Sequence, residues 1–321
     1  MISEMLIGVA IGDAFGAGVE MQGRELLKNL PYDRWTNLRT GKYANNYHVG
    51  EYSDDTEHTI GLVKALMSGK PFTEDLLLEY WKNEYETDKK RKGYPRQGHG
   101  SIESYYKGQC TIEEIRQNQA NRAHPGNAPT MRAAPLGLLP DDLLFKYAEI
   151  NANATHPHKE ARDASALVAV TANYILNGGD HANILAYCAR IDDFYTIKDT
   201  LLAMNRFGSP EEITTDEYSV LCGPQPIKGA DGLITGLPCS AIHTALTTAY
   251  ILKHTDNPFI GLQRSIQIGG DVDSLASATV GILAGRYGLD TIPDFMNREV
   301  EGRDNLQKLG QELRLYLNSQ T

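Results

Sequence analysis

Two short acidic turns carry the residues most able to do chemistry, Ser53-Asp54-Asp55-Thr56 and Gly269-Gly270-Asp271-Val272-Asp273-Ser274. Both offer hard oxygen donors only: the carboxylates of Asp54, Asp55, Asp271 and Asp273, and the hydroxyls of Ser53, Thr56 and Ser274. Such a set selects Mg²⁺, Mn²⁺ or Ca²⁺ over zinc or copper. Four carboxylates converging in a partly buried site would repel one another strongly. Two divalent cations would relieve that repulsion and could activate water or hold vicinal hydroxyls. A plainer reading makes each turn a helix cap, where carboxylates meet free N–H groups and the positive end of the macrodipole. The repetition of one grammar at two distant places favours metal.

These side chains need rigid elements behind them. Gly269 and Gly270 permit a tight turn, and the apolar run after it places Ala276, Val280, Leu283 and Tyr287 on one face of a buried helix. Ala276, Ser277, Ala278, Gly281, Ala284 and Gly285 are small, so neighbouring backbones can approach closely. Ser53 reads as the N-cap of a helix running to Met67 and stopping near Gly69. The opening stretch, Ile7 to Glu20, does not fit Gly-x-Gly-x-x-Gly and no strand precedes it, which excludes a dinucleotide loop. Its clustered glycines favour a helix ending near Gly16 or Gly18, with Glu20 on the loop beyond. A helix continuing throughout would instead put Asp13, Gly16, Ala17 and Glu20 on one face.

Elsewhere the pattern is helical. A turn is expected at Asn45-Asn46, a helix from Glu74 to about Tyr85, and a solvated charge run from Asp88 to Lys92. His58 reads as packed or surface rather than as a ligand. Thr111 and Glu114 form a capping box. Two irregular loops, Gly93 to Ser101 and Asn121 to Thr130, can cradle a ligand or equally be plain connections. Backbone N–H groups at the start of Met131 to Gly137 would suit a pyrophosphate. Helices are expected at 141–152, 159–177, 181–190, 238–253 and 304–317, with a glycine- and proline-rich loop at 206–236. His156 and His158 flank Pro157 without a third nitrogen or sulfur ligand, so hydrogen bonding or ligand contact suits them better than metal. No strand alternation is long enough for a sheet, and the class is all-α.

Composition sets the outer bounds. The 321 residues are 41% hydrophobic and 22% charged, as in a water-soluble globular chain. No repeat or clear linker divides them, so residues 1–321 read as a single domain. A net charge of -10, from 31 Lys+Arg and 41 Asp+Glu, argues against a dedicated nucleic-acid surface. Cys110, Cys188, Cys222 and Cys239 are widely spaced, without a zinc or disulfide framework, and fit a reducing, cytoplasmic compartment. The N-terminus lacks the basic region of a signal peptide, and no apolar run approaches the roughly 20 residues of a membrane span. From the residues alone, the expectation is a helical hydrolase with two metal ions and an unspecified substrate.

The motifs together resemble the ADP-ribosylglycohydrolase family. The matching pieces are Gly12-Asp13-Ala14-Phe15-Gly16 with Glu20, Ser53-Asp54-Asp55-Thr56, Gly126-Asn127 with Met131-Arg132-Ala133-Ala134-Pro135-Leu136-Gly137, Thr155-His156, and Gly269-Gly270-Asp271-Val272-Asp273-Ser274. They run in family order over about nine-tenths of the chain. The resemblance implies a compact orthogonal all-α bundle with a dinuclear metal cleft. It implies Mg²⁺ or Mn²⁺ on Ser53, Asp54, Asp55, Asp271, Asp273 and Ser274, with ribose hydroxyls over the metals. Glu20, Asp55 and Asp271 are the implied catalytic carboxylates, Glu20 for proton transfer. Gly98, Gly100, Ser101, His124, Gly126, Asn127 and His156 are the implied contacts to ADP-ribose. The implied reaction hydrolyses the bond at the anomeric carbon of the distal ribose, through an oxocarbenium-like transition state. ADP-ribosyl-arginine on protein is the first expected substrate. A free ADP-ribosylated small molecule, a modified nucleic acid, a pyrophosphate-cutting activity and a non-catalytic ADP-ribose-binding relative are the alternatives. Val272 and Ser274 stand where threonines are usual, and Ala128-Pro129-Thr130 replaces the usual glycine and small residues.

Overall fold

The computed structural model describes residues 2–39, 48–92 and 100–320, with the backbone alone at 88–92 and 100. The turn expected at Asn45-Asn46, the side chains of the 88–92 charge run and residues 93–99, Gly98 included, lie outside the described residues.

The chain opens with α1 (Ile2–Ala17) and a single turn, α2 (Arg24–Leu27). A helical pair follows, α3 (Asp54–Leu66) and α4 (Glu74–Lys92), packed where a Cβ on Gly61 would meet Trp81 Cδ1 at 2.7 Å. Short helices α5 (Gly100–Tyr106), α6 (Ile112–Ala120) and α7 (Ala128–Met131) lead to the long α8 (Asp141–Asn153) and α9 (Lys159–Leu176). Thr111 and Glu114 cap α6 reciprocally, as their spacing predicts. The next segment holds α10 (Ile184–Cys188), α11 (Lys198–Met204), α12 (Thr215–Cys222) and an antiparallel pair, β1 (Ile227–Lys228) with β2 (Leu233–Ile234). The final third is α13 (Ala241–His254), α14 (Pro258–Ile268), α15 (Val272–Tyr287), α16 (Asp294–Glu299) and α17 (Arg303–Gln320).

The axis of the molecule is the pair α1 and α15. Gly8, Gly12 and Gly16 form a bare stripe along α1. A Cβ on them would strike Val280 O at 2.8 Å, Ala276 O at 2.3 Å and Asp273 Cα at 2.4 Å, respectively. That order makes the two helices antiparallel and brings the end of α1 against the start of α15. Every residue from Val272 to Gly285 is buried, the signature of a helix apolar all round and surrounded by others. One hydrophobic cluster joins α1 to α14 and α17 through Ile11, Phe15, Leu262 and Leu313. A second joins α4, α9, α13 and α15 through Trp81, Leu167, Tyr250 and Leu283. No helix among the described residues is long and apolar enough to cross a membrane.

Three expectations are corrected. The 206–236 segment is not all loop: Thr214 and Glu217 form a capping box that starts α12, a local signal hidden by the surrounding Gly and Pro. Helix α4 continues past Tyr85 to Lys92. Tyr287 is not on a buried face but 41% exposed, its hydroxyl 2.7 Å from His181 Nε2.

Candidate active site

The two acidic turns become the N-termini of α3 and α15, and α1 supplies the carboxylate between them. Ser53 caps α3: Asp55 N donates to its Oγ at 3.4 Å, and that Oγ donates to Asp55 Oδ2 at 3.2 Å. Asp13, on α1 and fully buried, accepts from Ser53 N at 2.9 Å, from Thr56 N at 2.9 Å and from Thr56 Oγ1 at 2.6 Å. A carboxylate thus sits on the positive end of α3 and ties α1 to it. In the second turn Ser274 N donates to Asp273 Oδ1 at 2.9 Å, and Asp271 Oδ2 accepts from Asn127 Nδ2 at 3.2 Å.

Gly270 binds these parts by main chain alone. It pairs with Gln22 on one side and Leu237 on the other, through Met21 N to Gly270 O at 2.8 Å, Gly270 N to Gln22 O at 2.9 Å and Asp271 N to Leu237 O at 2.9 Å. Its φ of +82° is left-handed, and a Cβ would lie 2.2 Å from Leu237 O; only glycine fits. Glu20 is thereby delivered beside the acidic turn of α15.

Oxygen atoms of Asp13, Asp55 and Asp273 lie within 4.8 Å of one another, as do those of Glu20, Asp271 and Asp273. Burial, then repulsion from Asp273, pushes Asp13 up to about 6 and Glu20 up to about 8. Burial and neighbouring carboxylates also raise Asp54, Asp55 and Asp271 well above the ordinary aspartate range. Among the described residues none of the five aspartates is ion-paired. Asp55 Oδ1 is buried without a hydrogen-bond partner, whereas both oxygens of Asp13 are occupied by α3. An oxygen-only cluster with an orphaned buried carboxylate oxygen is the environment a hard divalent cation fits.

A cavity of about 290 Å³ adjoins the cluster, its wall including Asp54, His58, Asn127, Arg132, His156 and Cys239. A larger one of about 940 Å³ lies at the opposite ends of α1 and α15, near Met5 and Gly285, away from every acidic group of the cluster.

The ADP-ribosylglycohydrolase family model matches residues 2–321. The chain belongs to the ADP-ribosylglycohydrolase family. Its relatives include an uncharacterized protein of Archaeoglobus fulgidus, 26% identical over 96% of this chain and 94% of that one. ADP-ribosylhydrolase ARH3 of Mus musculus is 24% identical over 82% of this chain and 76% of its own length. ADP-ribosylarginine hydrolase Tri1 of Serratia proteamaculans is 23% identical, over 96% and 77%. The solved structure of an ADP-ribosylglycohydrolase-related protein complex shares the fold, with a TM-score of 0.70 over 98% of this chain and 97% of that one, at 21% identity.

In this ADP-ribosylglycohydrolase fold, Asp55, Asp271 and Asp273 bring carboxylate oxygens together with those of Asp13 and Glu20, and Ser53, Asp54 and Ser274 flank them at the same two helix starts. Gly126, Asn127, His156 and Ser101 reach the cavity wall, Ser101 from an exposed position on α5. Gly100 begins α5. His124 stands off it: its Nδ1 is 2.9 Å from Glu160 Oε2 and its side chain is 48% exposed. His58 is a packed residue, stacked on Trp81 at 5.2 Å.

Sequence reasoning placed Asp13 and Arg132 in motifs without giving either a role in the site, and did not single out Cys239. Asp13 was detectable as the one carboxylate inside an apolar helical run. Arg132 is fully buried, its guanidinium 3.6 Å from the Trp81 ring centre, with Nε donating to Asn151 Oδ1 at 2.7 Å and Nη2 to Thr155 Oγ1 at 2.9 Å. Burial lowers it to about 9, against the pull of Tyr106, Asp54 and Asp55. It places a positive charge behind the acidic cluster. Thr155 Oγ1 also meets His156 Nδ1 at 2.7 Å, and burial, then Arg132 and Arg122, hold that imidazole neutral, well below its usual range. Cys239 Sγ is 3.1 Å from Asn127 Oδ1, on the segment that Gly270 holds.

Proposed function

We propose that this chain is a divalent-cation-dependent hydrolase that releases ADP-ribose from a modified protein side chain, arginine foremost. The bond broken is the one at the anomeric carbon of the distal ribose. The observation that carries the reading is the oxygen-only acidic cluster opening, through Asp54 and Asn127, onto a ligand-sized cavity in a chain of this family. Ser53, Asp54, Asp55, Asp271, Asp273 and Ser274 would hold two ions, Mg²⁺ or Mn²⁺. Bound there, such ions supply charge that orients hydroxyls and lowers the pKa of water.

The chain's own residues then have distinct tasks. Asp55 and Asp271 place negative charge where an oxocarbenium-like centre develops. Glu20, in its protonated form, gives its proton to the departing nitrogen as the carbon–nitrogen bond breaks. Water oxygen bonds to the anomeric carbon, and its lost proton restores Glu20. Gly98, Gly100, Ser101, His124, Gly126, Asn127 and His156 are the proposed contacts to ADP-ribose. Arginine is favoured because the Serratia relative bears that linkage in its name. The four cysteines are unpaired, in keeping with a reducing, cytoplasmic setting.

The test is turnover of ADP-ribosyl-arginine with Mg²⁺ or Mn²⁺, with and without EDTA, the products weighed by mass spectrometry. Intact ADP-ribose that ceases to form in EDTA is the expected result. Release of AMP would mean pyrophosphate cleavage. Tight ADP-ribose binding without turnover would mean another linkage or a non-catalytic binding relative.

A further inference from the structure

We propose that Arg39 is a positioning residue, clamping the Glu20 carboxylate against the acidic centre from outside the motifs that form it. The inference rests on the role given to Glu20 above.

Glu20 lies on the loop after α1, and a carboxylate surrounded by Asp13, Asp271 and Asp273 is driven away from them by like charge. Something must hold it. Arg39 Nη2 is 3.0 Å from Glu20 Oε2, and the Arg39 side chain is only 6% exposed against 28% for Glu20. The same guanidinium donates through Nε to the carbonyl of Ala17, the last residue of α1. One planar fork therefore spans the negative end of a helix and the carboxylate that follows it. A lysine, with a single ammonium, cannot satisfy both acceptors in that geometry.

The Arg39 segment is itself docked. Leu38 N donates to Gly18 O at 2.7 Å, and Gln22 Nε2 donates to Leu38 O at 3.3 Å. A Cβ on Gly18 would come within 2.0 Å of Thr36 O, so residues 36–39 lie flat on the Glu20 loop. From the other side the loop is held by Gly270 and by Ala230 N, which donates to Met21 O at 3.1 Å. Met21 adopts a left-handed φ of 58°, a conformation that a non-glycine residue keeps only where its surroundings impose it. Arg39 contributes the side-chain half of that restraint.

The experiment compares wild type, Arg39→Ala and Arg39→Lys in two measurements. Hydrogen exchange of peptides covering residues 17–24 needs no substrate: exchange should quicken in Arg39→Ala and be intermediate in Arg39→Lys. In turnover of ADP-ribosyl-arginine, Arg39→Ala should lose about 10- to 100-fold in kcat with KM within about threefold, the size expected when a reacting group is misplaced. Arg39→Lys or added millimolar guanidinium should restore part of the loss. Native exchange at residues 17–24 in Arg39→Ala overturns the proposal, as does a rise in KM at unchanged kcat. If wild type itself leaves this substrate intact, the arginine reading fails, and the exchange measurement decides the clamp alone.

Discussion

Asp13 and Glu20 both carry a carboxylate into the same centre, yet their surroundings give them different work. Asp13 is saturated by three donors of α3, so it shapes the site rather than reacting. Asp13→Asn would turn an N–H toward donors that now meet oxygen; cation affinity should fall about 10- to 100-fold with the fold intact. Titration with Mn²⁺ measures it, and unchanged affinity would deny Asp13 this task. Glu20 sits on a loop, its side chain 28% exposed, and caps no helix. Glu20→Gln should abolish turnover while ADP-ribose binding stays within a few-fold, and undiminished turnover removes Glu20 from the mechanism. Residue types and motif spacing made both aspartate turns legible from the sequence. Asp13 and Arg132 stood in the motifs, but their parts were not legible, because these depend on which helices meet, α3 against α1 and α7 against α8.

Helices were legible wherever apolar spacing and a cap agreed, as at Ser53 for α3 and Thr111 for α6. They were missed where composition spoke against them, as in α12, or where a charge run extended α4. The small residues of α15 announced a close neighbour without naming it. The neighbour is the glycine stripe of α1. Gly12→Ala forces a methyl group against Ala276 O, now 2.3 Å from the ideal Cβ position, and should destabilise by about 1–3 kcal/mol, as overpacking does. Chemical denaturation measures the loss; a neutral effect would show that the two helices can part without cost. Because the stripe ends at Gly16, opposite Asp273, the same change should also weaken cation binding.

At the scale of the whole molecule, the cluster concentrates negative charge in a chain already at -10, and stability should follow its occupancy. Above about pH 7.5 the imidazoles of His156, His243 and His254, all held down by burial, are essentially neutral in folded and unfolded states and drop out of the balance. The raised carboxylates do not. With Glu20 pushed up to about 8, the folded chain there binds more protons than the unfolded one, so stability falls as pH rises from about 7.5 to about 8.5. In EDTA, Tm should therefore decline across that window. Saturating Mg²⁺ should raise Tm and remove the slope; one site at a hundredfold excess over its Kd adds about 2.7 kcal/mol of stability, and the gain should grow with pH because protons compete for the same oxygens. A Tm that climbs from about pH 7.5 to 8.5 in EDTA would contradict the charge arrangement described.

The antiparallel seam between α1 and α15 also dictates a timetable for synthesis. Roughly 250 residues separate the two helices, and at about 5–20 residues per second a ribosome takes roughly 13–50 s to cover them. Throughout that interval the glycine groove of α1 and its apolar flanks, Ile7, Ile11 and Phe15, are made but not yet covered. The nascent chain must keep them shielded, by early docking on α3 or by a chaperone. The catalytic centre comes into being almost last, when α15 slides into the groove.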